Sequence, residues 1–138
     1  MYKKTLLTCV IATFSLAFGA RAVVDAPTPP VHLKPDELQW VALPEFGGRE
    51  AIIYRSPDGK RVAAAFHETG KATFTYPFDE FLIVQSGTAT IHVHGGETFT
   101  LRKGDVGYLR EGATVDFEFS NDFSDLTFLV ADHVVRWR

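Results

Sequence analysis

The chain has 138 residues, is 46% hydrophobic and carries 14 basic against 17 acidic residues, for a formal net charge of −3. It holds one cysteine and one methionine and has no basic run. That balance argues against a nucleic-acid binder or a polybasic membrane-surface protein, and a lone cysteine excludes a disulfide framework and a thiolate metal cluster.

The first segment reads as a leader. Lys3 and Lys4 precede a run, Thr5 to Phe18, that is apolar apart from hydroxyl residues and Cys9, and Ala20-Arg21-Ala22 follows with small residues where a signal peptidase reads. This layout predicts a bacterial Sec-type signal peptide over residues 1–22, cleaved after Ala22, and a periplasmic or secreted mature protein. The apolar run falls short of the roughly 20 residues a spanning helix needs, so no membrane insertion is expected after cleavage. Cys9 comes too early in the run for a lipoprotein. Cleavage removes Lys3, Lys4, Arg21 and both sulfur-bearing residues, leaving 11 basic and 17 acidic residues in a chain that an oxidising compartment cannot cross-link.

Residues 23–37 contain Pro27, Pro29, Pro30 and Pro35 and are expected to form an extended arm. Residues 38–138 then read as a single all-β domain. Predicted strands run over Leu38–Leu43, Ala51–Tyr54, Arg61–Phe66, Ala72–Tyr76, Glu80–Gln85, Thr88–His94, Glu97–Leu101, Val106–Leu109, Thr114–Phe119 and Leu126–Val130. Between them lie turn sequences such as Ser56-Pro57-Asp58-Gly59, Gly95-Gly96 and Lys103-Gly104-Asp105. Alternation is clean in several strands: Ile91 and Val93 oppose His92 and His94, and Val115, Phe117 and Phe119 oppose Asp116 and Glu118. Period-two patterning with closely spaced turns predicts a sandwich or barrel.

Gly70, the run Tyr76-Pro77-Phe78-Asp79-Glu80, Gly87, then Gly104-Asp105 and Arg110-Glu111-Gly112 follow one another with two strands between the blocks. In that order and spacing, Arg61 to Val130 resembles the cupin superfamily, and within it the short branch of ureidoglycine aminohydrolase-like and ethanolamine-utilisation-type proteins. The resemblance implies a jelly-roll β-barrel with a central pocket, and a homodimer made by pairing sheet edges. It also exposes departures. Cupin metal sites use a His-x-His pair and a Glu from the first motif and a His from the second. Here Thr73, Thr75, Tyr76 and Phe78 occupy the neighbourhood of the pair, Val115 stands at the later histidine position, and Arg110 replaces the usual proline. Glu80 alone remains, so no metal or other cofactor is expected. A divalent metal on a rebuilt site of Glu80 and His67, with a carboxylate such as Asp79, is the alternative.

Glu80 is the leading candidate. In the cupin register it points inward beside Leu82 and Val84, where burial raises a carboxylate's pKa into the range of a general acid or base. Its competing role is a structural carboxylate bonded to Tyr76 or Tyr108. Tyr76 is paired with it as a catalytic candidate. Tyr108 and Arg110 are candidate ligand-binding groups, a phenol donor and a carboxylate or phosphate partner. Phe117 supplies an apolar wall. His67 reaches the pocket mouth if the Ala63–Ala65 side of its strand faces inward, and is otherwise exposed. His92 and His94 are expected on the outer surface.

Three functional readings stay open. One is a metal-free barrel that binds a small organic molecule, with acid–base chemistry of the lyase, isomerase or hydrolase type through Glu80. Another is the metal-dependent enzyme. The third is a non-catalytic structural or partner-binding module with a filled barrel.

Overall fold

The computed structural model describes residues 29–136. The expected signal peptide, its cleavage point and the first part of the arm lie outside the described residues. The remainder of the arm has no regular structure up to a 3₁₀ turn at Pro35–Glu37, where proline at the first position forfeits no helical hydrogen bond.

Ten strands follow: β1 (Val41–Leu43), β2 (Gly48–Arg55), β3 (Arg61–His67), β4 (Gly70–Thr75), β5 (Asp79–Ser86), β6 (Thr88–Val93), β7 (Thr98–Arg102), β8 (Val106–Leu109), β9 (Thr114–Phe119) and β10 (Ser124–Val130). Each expected strand is present, with ends moved by a few residues at most. The strands form a six-stranded sheet in the order β1-β2-β3-β10-β5-β8 and a four-stranded sheet in the order β4-β9-β6-β7. All pairings are antiparallel, an arrangement consistent with a jelly roll. No described helix is long and apolar enough to cross a membrane.

The core lies between the sheets. Val62, Ala64 and Phe66 face it from β3, Leu82 and Val84 from β5, Leu129 from β10, Ala89 and Ile91 from β6, and Val115, Phe117 and Phe119 from β9. Two close approaches lock the frame. A Cβ on Gly48 would lie 1.7 Å from the His67 carbonyl oxygen, so only glycine lets β2 start against the end of β3. Gly59, at φ +68°, closes the Ser56–Gly59 turn, its N–H donating to the Ser56 carbonyl at 2.8 Å.

The six-stranded sheet is apolar on its outer face as well. Phe81, Ile83, Val106, Tyr108, Leu126, Phe128 and Val130 are all 36–59% exposed. Phe81 lies between Phe128 and Tyr108, and Ile83 between Leu126 and Val106, so these residues form continuous cross-strand rows. The four-stranded sheet differs, with threonines, His92, His94 and Asp116 outward and joined in pairs such as Thr90–Thr100 at 3.0 Å and Thr75–Thr114 at 2.8 Å.

Candidate functional site

Alternation in β5 puts Glu80, Leu82 and Val84 inward and Phe81 and Ile83 outward. In β10 the inward set is Asp125, Thr127 and Leu129. Glu80 faces Leu129 across the β5–β10 ladder, with Thr127 the next inward residue along β10. The same ladder shifts register between Ser124 and Asp125, opposite Gln85. Bulges of this kind re-aim side chains. Glu68 follows β3 two residues after the inward Phe66, and Tyr76 enters from the β4–β5 connection.

These elements enclose a chamber lined by Glu68, Glu80, Asp125 and Tyr76 on its polar side and by Phe46, Phe66, Phe74, Phe117, Phe119 and Phe123 among its apolar walls. Its free volume is about 20 Å³, room for one water-sized body. Glu80 is 9%, Tyr76 3% and Asp125 4% exposed. Thr127 Oγ1 donates to Glu80 Oε1 at 2.6 Å, and the Tyr76 phenol also hydrogen-bonds the Glu80 carboxyl. Asp125 Oδ1 is buried with no hydrogen-bond partner among the described residues.

Among the described residues, no lysine, arginine or histidine lines this space. Burial pushes Glu80 above the usual carboxylate range, and the hydrogen bonds from Thr127 and Tyr76 offset part of that rise. Glu68 and Asp125 are raised well above it, by burial first, then for Glu68 by the charges of Asp125 and Glu80 and for Asp125 by that of Glu80. Burial and the neighbouring carboxylates likewise lift Tyr76 well above an ordinary phenol. The chamber thus sets three carboxyl groups and a phenol, all shifted toward their protonated forms, against aromatic walls.

Of the residues singled out in the sequence, Glu80, Tyr76 and Phe117 meet in this chamber. Tyr108, Arg110 and His67 do not. Tyr108 is 59% exposed on the outer face of β8, because Gly107 and Leu109 take the inward positions. Its hydroxyl donates to Asp79 Oδ2 at 2.7 Å, and the Glu111 N–H donates to Asp79 Oδ1 at 2.8 Å. These bonds hold the Asp79 carboxyl below its usual range and pin the exposed Arg110–Gly112 turn to β5. His67 lies on the face of β3 opposite Phe66, with its ring centroid 4.8 Å from that of Trp40, while the Arg49 guanidinium covers Trp40 at 4.6 Å. Burial and the Arg49 charge depress the His67 pKa. The larger side chains of β3, Val62 and Phe66, claim the interior and send His67 outward.

The cupin metal set does not fit these residues. Val115 is wholly buried hydrocarbon. Thr73 and Thr75 face outward and bond Asp116 and Thr114. His67 points away from Glu80, so the rebuilt pair does not form. Among the described residues no three histidine, cysteine or carboxylate side chains are placed to hold a metal ion. His92 and His94 stand outside the barrel; His94 Nε2 contacts Asp116 Oδ2 at 2.8 Å, and His92 Nδ1 bonds Thr98 Oγ1 at 2.6 Å.

Glu68, Asp125 and Thr127 were not singled out from the sequence. A signal was available for the last two. Leu126, Phe128 and Val130 alternate with Asp125, Thr127 and Leu129, and a strand apolar on one face with acid and hydroxyl on the other invites the wrong orientation. Glu68 sits past the strand end, where periodicity carries no information.

The EutQ-like cupin domain model matches residues 55–124, and the chain belongs to this family of the cupin superfamily. The fold is similar to that of a putative ethanolamine utilization protein Q from Salmonella typhimurium LT2, at 16% identity and a TM-score of 0.58 over 70% of this chain and 81% of that one. It is also similar to KdgF from Halomonas sp., at 17% identity and a TM-score of 0.60 over 75% and 96% of the two chains. The cupin domain of Schizosaccharomyces pombe Cnp3 aligns at 11% identity and a TM-score of 0.60 over 74% of each chain. No curated protein matches the sequence.

Proposed function

We propose that this protein binds a small organic molecule inside its barrel, at the chamber where Glu80, Tyr76, Glu68 and Asp125 converge, and that it does so without the usual cupin metal. The observation that carries this reading is the Asp125 carboxyl oxygen Oδ1, buried in the chamber wall with no partner among the described residues. Leaving a polar atom unsatisfied costs about 1–3 kcal/mol, a cost that a bound donor removes. Glu80, with its raised pKa and two hydrogen-bonded neighbours, is the group placed to exchange a proton with such a ligand, and Tyr76 is its partner. Lyase, isomerase and hydrolase steps are the reaction types this pair suits. The decisive variant is Glu80→Gln, which keeps the shape and removes the charge: ligand affinity or turnover changes in it if Glu80 acts on the ligand, and both stay as in the wild type if it is structural.

A second reading, a filled barrel acting as a structural or partner-binding module, is favoured by the chamber's volume of about 20 Å³. Against it stand three carboxyl groups where a filled core would place hydrocarbon.

The leader layout supports export to the periplasm or beyond, and intact mass of the exported protein should correspond to a chain starting at Val23. The apolar outer face of the six-stranded sheet supports a homodimer. That surface lies on the sheet's face, so it supports a face-to-face pair more than edge pairing.

A further inference from the structure

Resting on the reading of the chamber as a binding site, the geometry points to a particular head group: a primary ammonium on a short carbon chain, seated among Asp125, Glu80 and Glu68 with its carbon against the phenylalanine rings.

Charge selects the sign. Three carboxyl groups line the chamber with no cationic side chain beside them among the described residues, so a cationic ligand can take the place of the protons that otherwise neutralise them. Burial raises the pKa of all three acids, the Glu80 charge adds to the rise at Glu68 and Asp125 and the Asp125 charge to that at Glu68, and a cation among them offsets these effects. The walls agree with the acids. Phenylalanine faces attract an alkylammonium by their quadrupole, and Phe117 and Phe119 stack at 4.9 Å to present a continuous aromatic surface. Asp125 Oδ1, in a residue only 4% exposed and without a partner among the described residues, is an acceptor in want of an N–H donor.

Size and donor chemistry narrow the choice further. A volume of about 20 Å³ admits a body the size of water, and an ammonium group is of that size. A divalent metal would need an oxygen shell that aromatic walls cannot supply, and the acids are not grouped to hold one. The carbon end has somewhere to go. Phe46 and Phe74, edge to face at 5.5 Å, line both the chamber and a surface hollow of about 220 Å³ that Glu45, Pro77 and Arg136 help to form. That ring pair is the wall the two spaces share, so a ligand with its head in the chamber would place its body toward the hollow by displacing these rings.

The test is calorimetric titration of the full-length protein with methylammonium chloride at mildly alkaline pH. Sodium acetate and tetramethylammonium chloride at equal ionic strength are the comparison probes. Saturable methylammonium binding is expected, with protons released from Glu68, Glu80 and Asp125, read as a heat that depends on the buffer's ionisation enthalpy. Tetramethylammonium, which has no N–H to give, and acetate should not saturate. Asp125→Asn keeps the side chain's shape and should weaken methylammonium binding by about 10- to 100-fold, with circular dichroism showing a folded chain. Saturation by acetate alone, equal response to sodium ion, or wild-type affinity in Asp125→Asn would overturn the ammonium assignment. A Glu80-dependent response to other organic probes but none to methylammonium would overturn that assignment and leave the chamber as a binding site. No response to any probe would remove both.

Discussion

Thr127 Oγ1 and Glu80 Oε1 are joined by a 2.6 Å hydrogen bond inside the barrel. It stabilises the charged form of a carboxylate that burial otherwise drives toward the neutral one. Thr127→Val removes the donor while keeping the shape, so the Glu80 pKa should rise further. Urea unfolding should show a cost of about 1–3 kcal/mol. That cost should be larger on the alkaline side of neutrality than near pH 5, where the protonated carboxyl depends less on the bond. Equal costs at both pH values would show that Glu80 does not ionise in the folded chain over that range.

The chamber's acids also set the pH dependence of the whole fold. Glu68, Glu80 and Asp125 have folded-state pKa values above their unfolded ones. From the ordinary carboxylate range upward the folded chain therefore holds more protons than the unfolded one, and stability falls as pH rises toward the folded values. Asp58, Asp79 and Asp116, at the surface, are shifted the other way, and their contributions are lost as pH falls below the ordinary range. Thermal unfolding should therefore peak near about pH 5 and decline toward pH 8. Asp125→Asn should flatten that decline, with a higher Tm than wild type at the alkaline end.

Gly48→Ala is predicted to be among the most damaging single-methyl additions. Its Cβ would meet backbone, the His67 carbonyl at 1.7 Å and the Glu68 Cα at 2.9 Å, and neither can swing aside as a side-chain tip could. A loss of about 3 kcal/mol or more is expected in denaturant unfolding. Because Glu68 is displaced with it, chamber binding should fall in parallel.

Phe128→Glu should convert a dimer into a monomer. Phe128 pairs with Phe81 at the centre of the outward apolar rows, each about two-fifths exposed. Light scattering coupled to gel filtration should give twice the chain mass for wild type and the single chain mass for the variant. A wild-type monomer across the micromolar range would remove the face-to-face pair.

Much of this molecule was legible in its sequence because the strands alternate and glycine-bearing turns separate them. Glu80 could be aimed inward since Leu82 and Val84 share its parity. The same logic was weaker where both faces of a strand are apolar. Phe81, Ile83, Leu126 and Phe128 turn out to be the exterior, and that surplus of hydrocarbon concealed Asp125 and Thr127 on the inner side. Tyr108 was misplaced because Gly107 gives a four-residue strand no inward weight. The three alanines of β3 left His67 without a side until the bulk of Val62 and Phe66 decided it. Glu68 belongs to the site through tertiary placement alone, since it lies beyond the strand whose register could have located it.

The most direct test of the chamber as a binding site is methyl NMR of wild-type protein screened against small organic molecules, read at Ile91, Leu82 and Leu101, which line the cavity. The account predicts saturable shifts of these methyl signals that disappear in Glu80→Gln and Asp125→Asn. Unmoved signals with every molecule, together with higher stability when the three acids are replaced by their amides, would contradict it and identify a filled barrel.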